Sequence, residues 1–138
     1  MNAPQTRAKP RRQRLLVVDD NKDAAESMSL LLELWGHEAV CAHDGRSALE
    51  MAARYHPDAV FLDIGLPGMD GYEVAERLRE LPQGQRMALI AITGYGQDTD
   101  RRRSRDAGID HHLVKPVAPE TLRVLIESLP RPPLETPR

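Results

Sequence analysis

Short apolar runs alternate along this chain with longer stretches in which apolar residues recur at helical spacing. The runs at 15–18 and 59–62 contain no polar residue, which is typical of strands buried on both faces of a sheet. The pattern predicts five strands, at 15–18, 38–42, 59–62, 87–92 and 111–114. It also predicts five helices, at 22–35, 44–54, 72–81, 98–107 and 119–129. Because strands and helices alternate, we expect a parallel sheet with helices on both of its faces.

Local signals add detail to the first and third helices. Asn21 or a neighbour is expected to cap the first helix, and Asp70 is expected to cap the third. In the first helix we expect Ala24 to face inward. We interpret the leucine run 30–32, together with Trp35, as core rather than as a cofactor-binding box. The apolar side of the first helix is thus assigned to the scaffold.

Polar side chains end four of the five predicted strands. Asp19 and Asp20 follow the first strand, Asp63 the third, Thr93 the fourth and Lys115 the fifth. In an open parallel sheet, ligands bind at the carboxyl ends of the strands, beside the point where the strand order reverses. We therefore expect these five side chains to lie close together.

This set of side chains limits the chemistry that the site can perform. Three neighbouring carboxylates repel one another unless a cation offsets their charge, and the lysine offsets only one. An all-oxygen site that the protein fills only in part suits Mg²⁺, which keeps some of its waters and bridges to phosphate. A carboxylate nucleophile, a metal, an ammonium and a hydroxyl are together the groups needed for phosphoryl transfer to an aspartate.

Four segments make the chain resemble the receiver domains of two-component response regulators. They are LVVDD at 16–20, LDIGLPGMDG at 62–71, ITG at 92–94 and LVKP at 113–116. The order and spacing of the four segments make the resemblance specific, and it spans residues 14–129. It implies an α/β, flavodoxin-like (βα)5 fold, with a doubly wound parallel five-stranded sheet in the strand order 2-1-3-4-5.

The resemblance also implies a metal site. By this likeness Asp20 would bind Mg²⁺ directly, and Asp19 would act mainly through metal-bound water. Asp63 and the backbone carbonyl of Gly65 would complete the protein ligands. Asp63 would in addition be the phosphoacceptor.

Two further positions are implied to contact the phosphoryl group. Lys115 would contact a phosphoryl oxygen, and Thr93 would hydrogen-bond the group and move toward it. The bond between Lys115 and Pro116 is expected to be a cis peptide, a geometry essentially confined to bonds that precede proline.

Two residues depart from the commonest receiver pattern. His112 stands three residues before the lysine, where receivers often carry a tyrosine or phenylalanine that acts as a rotamer switch. Tyr95 lies two residues after Thr93, and the stretch 93–97 resembles receivers attached to hybrid histidine kinases. We therefore treat His112 and Tyr95 as candidate modulating residues. Our hypothesis is that the lifetime of phosphorylated Asp63 depends on Tyr95.

The function implied by the resemblance is that of a signalling module in a phosphorelay. Asp63 would accept its phosphoryl group from the histidine of a sensor kinase or a histidine phosphotransfer protein. The domain would catalyse only its own phosphorylation and dephosphorylation, so it is not expected to be a turnover enzyme. A downstream protein is expected on the face formed by 98–126. The arginine-rich helix at 98–107 is either a solvated surface or part of that contact.

Charge and composition set limits on the remaining segments. The net charge is −2, yet residues 1–14 carry five basic side chains and no acidic one, and 130–138 carry a net charge of +1, which leaves 15–129 at −8. We expect 1–13 to be a basic flexible tail and 130–138 a proline-rich tail, 14–129 being the folded domain. The basic tail is either a solvated extension or a contact for nucleic acid or an acidic partner. Nucleic acid is the less expected partner, because aromatics make up only 4% of the residues.

The same features bear on location. No apolar run approaches the roughly 20 residues of a membrane-spanning helix, and the N-terminus lacks the apolar region of a secretory signal. One cysteine, Cys41, precludes an internal disulfide and favours a reducing compartment. We expect a cytoplasmic protein. Since 130–138 is too short for an output domain, we expect action through protein contacts or membership of a longer hybrid kinase.

Two other protein classes share a feature with receiver domains: flavodoxin-like FMN-binding proteins share the fold, and haloacid-dehalogenase-type phosphatases also use an aspartyl nucleophile. A flavodoxin-like FMN-binding protein needs a phosphate-cradling loop after the first strand, but the acidic loop 19–21 would repel a phosphate without a metal. A haloacid-dehalogenase-type phosphatase carries Asp-x-Asp after that strand, and this spacing occurs neither at 19–21 nor at 63–65.

Overall fold

A computed structural model describes residues 12–65, 70–94 and 101–130. Strands and helices alternate through these ranges, as the sequence pattern predicts. The strands are β1 (Arg14–Val18), β2 (Glu38–Ala42), β3 (Ala59–Asp63), β4 (Ala88–Thr93) and β5 (His111–Val114). The helices are α1 (Lys22–Leu34), α2 (Gly45–Tyr55), α3 (Gly71–Glu80), α4 (Arg101–Ala107) and α5 (Pro119–Ser128). None of the helices in the described ranges has the length and apolar character needed to cross a membrane.

The five strands form one parallel sheet in the order β2-β1-β3-β4-β5. This confirms the predicted strand order. Strand β1 lies between β2 and β3, and its last residue, Val18, pairs with Ala42 on one side and Leu62 on the other. The strand order reverses at β1, so the residues just beyond β1 and β3 lie at the position where open sheets bind ligands.

The core forms two layers because successive residues of a strand point to opposite faces of the sheet. On one face the strands pack against α1 and α5, with Leu15, Val17, Phe61, Ile90, Leu32 and Ile126 among the buried residues. On the other face they pack against α2, α3 and α4, with Leu16, Val18, Val60, Leu62, Val74 and Leu78 among the buried residues. Strands covered on both faces explain the apolar runs in the sequence.

Both predicted helix caps are present. The Asn21 side chain accepts a hydrogen bond from the N–H of Ala24 at 3.0 Å, and the Asp70 side chain accepts one from the N–H of Tyr72 at 2.8 Å. Each bond satisfies a backbone donor that has no partner within the first turn of its helix. Both helices therefore begin where the capping residues indicate.

The buried side of α1 differs from its prediction at two positions, Ala24 and Leu30. Ala24 is exposed, whereas Ala25, Ser29 and Leu32 are buried. Leu30 is also exposed, with 62% of its surface accessible, so its assignment to the core is wrong. Three consecutive helical residues span roughly 200° around the axis, and a single packed face cannot bury them all.

The folded part begins before the predicted boundary at residue 14. Gln13 is buried, and its N–H donates to Nδ1 of His37 at 3.2 Å. Arg12 forms an ion pair with Glu38 at 3.7 Å. The last two residues of the predicted tail, 12 and 13, thus contact the sheet edge, while 1–11 and 131–138 lie outside the described residues.

We expect replacement of Phe61 by alanine to lower the free energy of unfolding by about 3–5 kcal/mol, because the ring leaves a cavity in a packed core. Phe61 is fully buried at the centre of β3. Leu34→Ala is the control, since Leu34 is 82% exposed and its loss should change stability by less than about 0.5 kcal/mol. Urea unfolding followed by circular dichroism measures both. Equal effects of the two substitutions would contradict the described core.

Candidate functional site

Three carboxylates meet at the carboxyl ends of β1 and β3. The side chains of Asp19, Asp20 and Asp63 each place an oxygen within 4.8 Å of the others. Asp19 and Asp63 are buried, whereas Asp20 is exposed. Strands β1 and β3 are adjacent and parallel, so the residues at or just beyond their carboxyl ends lie at the same edge of the sheet, as the sequence predicts.

The Asp63 carboxylate is held from two sides. Its Oδ1 accepts a hydrogen bond from the N–H of Gly65 at 2.9 Å, and its Oδ2 accepts one from Nζ of Lys115 at 3.0 Å. Gly65 is exposed, and a Cβ at that position would stand 3.5 Å from Oδ1 of Asp63, an ordinary contact distance. Gly65 therefore leaves the space beside the Asp63 carboxylate open, although a Cβ at position 65 would not clash with that carboxylate.

Asp19 is fixed through both its backbone and its side chain. Its N–H donates to the carbonyl of Ala42 at 3.1 Å, and its carbonyl lies 3.0 Å from Nδ1 of His43. Its Oδ1 accepts from the N–H of Asn21 at 2.9 Å, and its Oδ2 lies 3.5 Å from Nζ of Lys115. Sequence reasoning missed His43, although it follows β2 at the same sheet edge as the predicted residues.

Lys115 reaches the acidic cluster from the end of β5. Its N–H donates to the carbonyl of Thr93 at 2.8 Å, and the peptide bond to Pro116 is cis, as expected. Burial opposes its charged form, but the hydrogen bond and charge of Asp63 and the charge of Asp19 outweigh burial and raise the pKa of Lys115. The ammonium therefore stays protonated through the neutral pH range.

Thr93 ends β4 next to this group and is buried. Its Oγ1 lies 3.5 Å from the carbonyl oxygen of Leu113, a distance at which a hydrogen bond is weak. Little energy is therefore needed to turn this hydroxyl toward a new acceptor at the sheet edge.

His112 links β5 to α4. The guanidinium of Arg101 can only donate, so Nδ1 of His112 accepts at 3.3 Å, and Nε2 carries the proton that faces Oγ of Ser104 at 2.9 Å. Burial lowers the pKa of His112, and the charges of Arg101 and His111 lower it further. Tyr95 lies outside the described residues, as does the rest of 95–97, so the hypothesis about Tyr95 remains a prediction.

The arginine-rich helix is tied to α3 as well. Arg103 forms an ion pair with Asp70, and its guanidinium lies 4.6 Å from the centre of the Tyr72 ring. Arg102 and Arg105 are exposed. Two of the four arginines, at 101 and 103, thus attach α4 to its neighbours.

The donor set of the cluster fits a hard divalent cation. Three carboxylates face one ammonium, which leaves an excess of negative charge in a partly buried site. All the side-chain ligands are oxygens, and the exposed side of Asp20 opens the cluster to solvent. These are the properties of a site that binds Mg²⁺ through a few carboxylates and retained waters.

Comparisons with known proteins agree with this geometry. A family model for the response regulator receiver domain matches residues 15–127. The response regulator MprA of Mycobacterium leprae (strain TN) is 39% identical over 118 residues, which are 86% of this chain and 51% of that protein. The chain thus spans about half the length of this relative.

Two solved structures are similar to the fold. A CheY-like response regulator receiver domain protein from Methanospirillum hungatei JF-1 has a TM-score of 0.77 and 32% identity, over 85% of this chain and 92% of that one. The receiver domain of the sensor histidine kinase PA1611 from Pseudomonas aeruginosa PAO1 has a TM-score of 0.75 and 29% identity. The alignment covers 85% of this chain and 96% of that domain, which holds a magnesium ion in its active site cleft. With the family match over most of the chain and the shared sheet, this protein belongs to the response regulator receiver domain family.

Proposed function

We propose that Asp63 accepts a phosphoryl group from a phosphohistidine of a sensor kinase or a histidine phosphotransfer protein. One observation carries this proposal. The Asp63 carboxylate is buried, is oriented by Gly65 and Lys115, and lies within 4.8 Å of two further carboxylates at the ligand-binding edge of the sheet. A carboxylate held in one orientation is prepared for in-line attack on phosphorus.

In the transfer step an oxygen of Asp63 forms a bond to phosphorus while the phosphorus–nitrogen bond of the donor breaks. The electron pair of that bond leaves with the donor imidazole, and Asp63 becomes an acyl phosphate. Lys115 lies 3.0 Å from the attacking carboxylate, so its ammonium is placed to offset the charge on the phosphoryl oxygens. The Thr93 hydroxyl, weakly bonded at present, is available to donate to one of these oxygens.

The metal ligands in this proposal are Asp19, Asp20, Asp63 and the backbone carbonyl of Gly65. When bound there, Mg²⁺ would neutralise charge on the phosphoryl group during transfer. The chain's own residues hold the site ready for it: Asn21 and His43 fix Asp19, and Gly65 fixes Asp63.

The proposed output is a change in the surface formed by α4, β5 and α5, within 98–126. A phosphoryl group on Asp63 adds negative charge beside Thr93 and Lys115, the residues that end β4 and β5. His112, Ser104 and Arg101 connect β5 to α4, so a shift of β5 reaches that helix. We infer that a downstream protein reads this surface, and that the domain signals by contact rather than by turnover of a substrate.

Incubation with a small acyl phosphate tests the phosphoacceptor role. We expect intact-mass spectrometry to show a gain of about 80 Da, one phosphoryl group, that needs Mg²⁺, is lost with excess EDTA and is labile to hydroxylamine. A phosphorylated histidine phosphotransfer protein serves as the second donor. A gain that persists in EDTA or resists hydroxylamine contradicts the assigned chemistry, and no gain with either donor contradicts the phosphoacceptor role.

A further inference from the structure

The backbone of Asp19 receives a bond from the side chain of His43. Nδ1 of His43 lies 3.0 Å from the carbonyl oxygen of Asp19, and His43 is half-buried. A carbonyl oxygen only accepts, so Nδ1 must be the protonated ring nitrogen. The hydrogen bond thus runs from His43 to the acidic segment.

This bond stands where the sheet ladder would otherwise continue. The register pairs Val18 with Ala42, and the N–H of Asp19 donates to the carbonyl of Ala42. In a regular parallel ladder the Asp19 carbonyl would next accept from the N–H of Asp44. Asp44 instead caps α2, its side chain accepting from the N–H of Ser47 at 2.7 Å. The His43 ring therefore supplies the bond to the Asp19 carbonyl at the point where β2 turns into α2.

We propose that His43 is a positioning residue of the metal site, which fixes the peptide between Asp19 and Asp20. The carbonyl of Asp19 belongs to that peptide plane, so holding the carbonyl sets the direction in which the chain enters Asp20. With this bond, the backbone N–H, the carbonyl and both carboxylate oxygens of Asp19 all have partners. Asp20 is exposed, and its placement beside Asp63 depends on the backbone before it.

The inference rests on the proposed function, since it concerns the affinity of the same cluster for Mg²⁺. His43 itself is not proposed as a ligand, because it is not among the residues of the acidic cluster, which are Asp19, Asp20 and Asp63. Its effect is to keep two carboxylates in the arrangement that the metal requires, which lowers the ordering cost of binding.

Mg²⁺ titration by calorimetry on the full chain tests the inference. Asparagine places its amide nitrogen at the same distance along the side chain as Nδ1, so His43→Asn should bind Mg²⁺ within about twofold of the wild type. Leucine fills similar space without a donor, so His43→Leu should weaken the Kd by about threefold to tenfold, the value of one lost hydrogen bond. His111→Leu is the matched control. His111 is exposed at the start of β5, whereas Lys115 and the metal site lie beyond the other end of that strand, so this substitution should leave the Kd unchanged.

Urea unfolding of each variant without Mg²⁺ shows whether a weaker Kd reflects positioning or loss of the fold. An unchanged Kd in His43→Leu, or an equal loss in His43→Asn and His43→Leu, overturns the positioning role while leaving the metal site intact. Failure of the wild type to bind Mg²⁺ overturns the metal site itself and the inference with it, so the two failures are distinguishable.

Discussion

Replacing Asp63 with asparagine is expected to abolish the phosphoryl mass gain completely. Asparagine has nearly the shape of aspartate, and its oxygen can still accept the hydrogen bond from the N–H of Gly65. Its amide nitrogen, however, has no lone pair available for attack on phosphorus, so no acyl phosphate forms. Intact mass after incubation with a small acyl phosphate and Mg²⁺ measures the loss directly.

A matched control separates this loss from a general effect of removing a carboxylate at the sheet edge. Asp44 follows β2 at the same edge, is exposed and caps α2. Asparagine is as good a cap as aspartate, so Asp44→Asn should keep both the fold and the full mass gain. A phosphorylated Asp63→Asn protein would show that another residue accepts the group, and Asp19 and Asp20 would be the next carboxylates to replace.

The architecture followed from the sequence because the central strands β1, β3 and β4 are buried on both faces over most of their length. Burial on both faces excludes polar residues from 15–18 and 59–62, so these two strands can be recognised in the sequence. The residues that follow them are then predicted to lie at the carboxyl edge of the sheet. Asp19, Asp20 and Asp63 could be predicted in this way, whereas Lys115 follows β5, a strand with an exposed residue at each end. The structure confirms that they lie together.

His43 and Ser104 could not be predicted by the same reasoning. Each acts through one hydrogen bond to a different element, His43 to the end of β1 and Ser104 to β5. Periodicity reports which face of an element is buried, but it carries no information on which donor meets which acceptor across elements. The only signal for His43 in the sequence is its place directly after a strand.

The helix α1 shows the complementary limit. Its buried stripe begins at Ala25 rather than Ala24, and Leu30 lies outside it. Ser29 is buried because its Oγ lies 2.8 Å from Sγ of Cys41 on β2, so a polar residue occupies a position of the packed stripe. Leu31 and Trp35 pack against the core as predicted, so the apolar pattern locates most of the stripe and misses the position that a buried hydroxyl fills.

Replacing Lys115 with methionine is expected to change two measurements in opposite directions. Methionine keeps an unbranched chain of similar length but removes the ammonium that lies 3.0 Å from Asp63 and 3.5 Å from Asp19. Phosphorylation by the acyl phosphate should slow by about 100-fold, the usual cost of losing one charged donor to a transferring group. Mg²⁺ should bind about threefold to tenfold more tightly, since the ammonium no longer competes with the cation for the same carboxylates.

These opposite changes distinguish an electrostatic role of Lys115 from a structural one, because a distorted site would lose both the rate and the metal. Lys22→Met is the control: Lys22 is exposed at the start of α1, and its loss should alter either measurement by less than about twofold. Because Asp63 and Asp19 hold the pKa of Lys115 above its usual value against the effect of burial, the rate ratio between wild type and Lys115→Met should stay constant from about pH 6 to 8. Weaker Mg²⁺ binding in Lys115→Met, or a ratio that changes strongly across this range, would contradict a permanently charged lysine that shares its carboxylates with the metal.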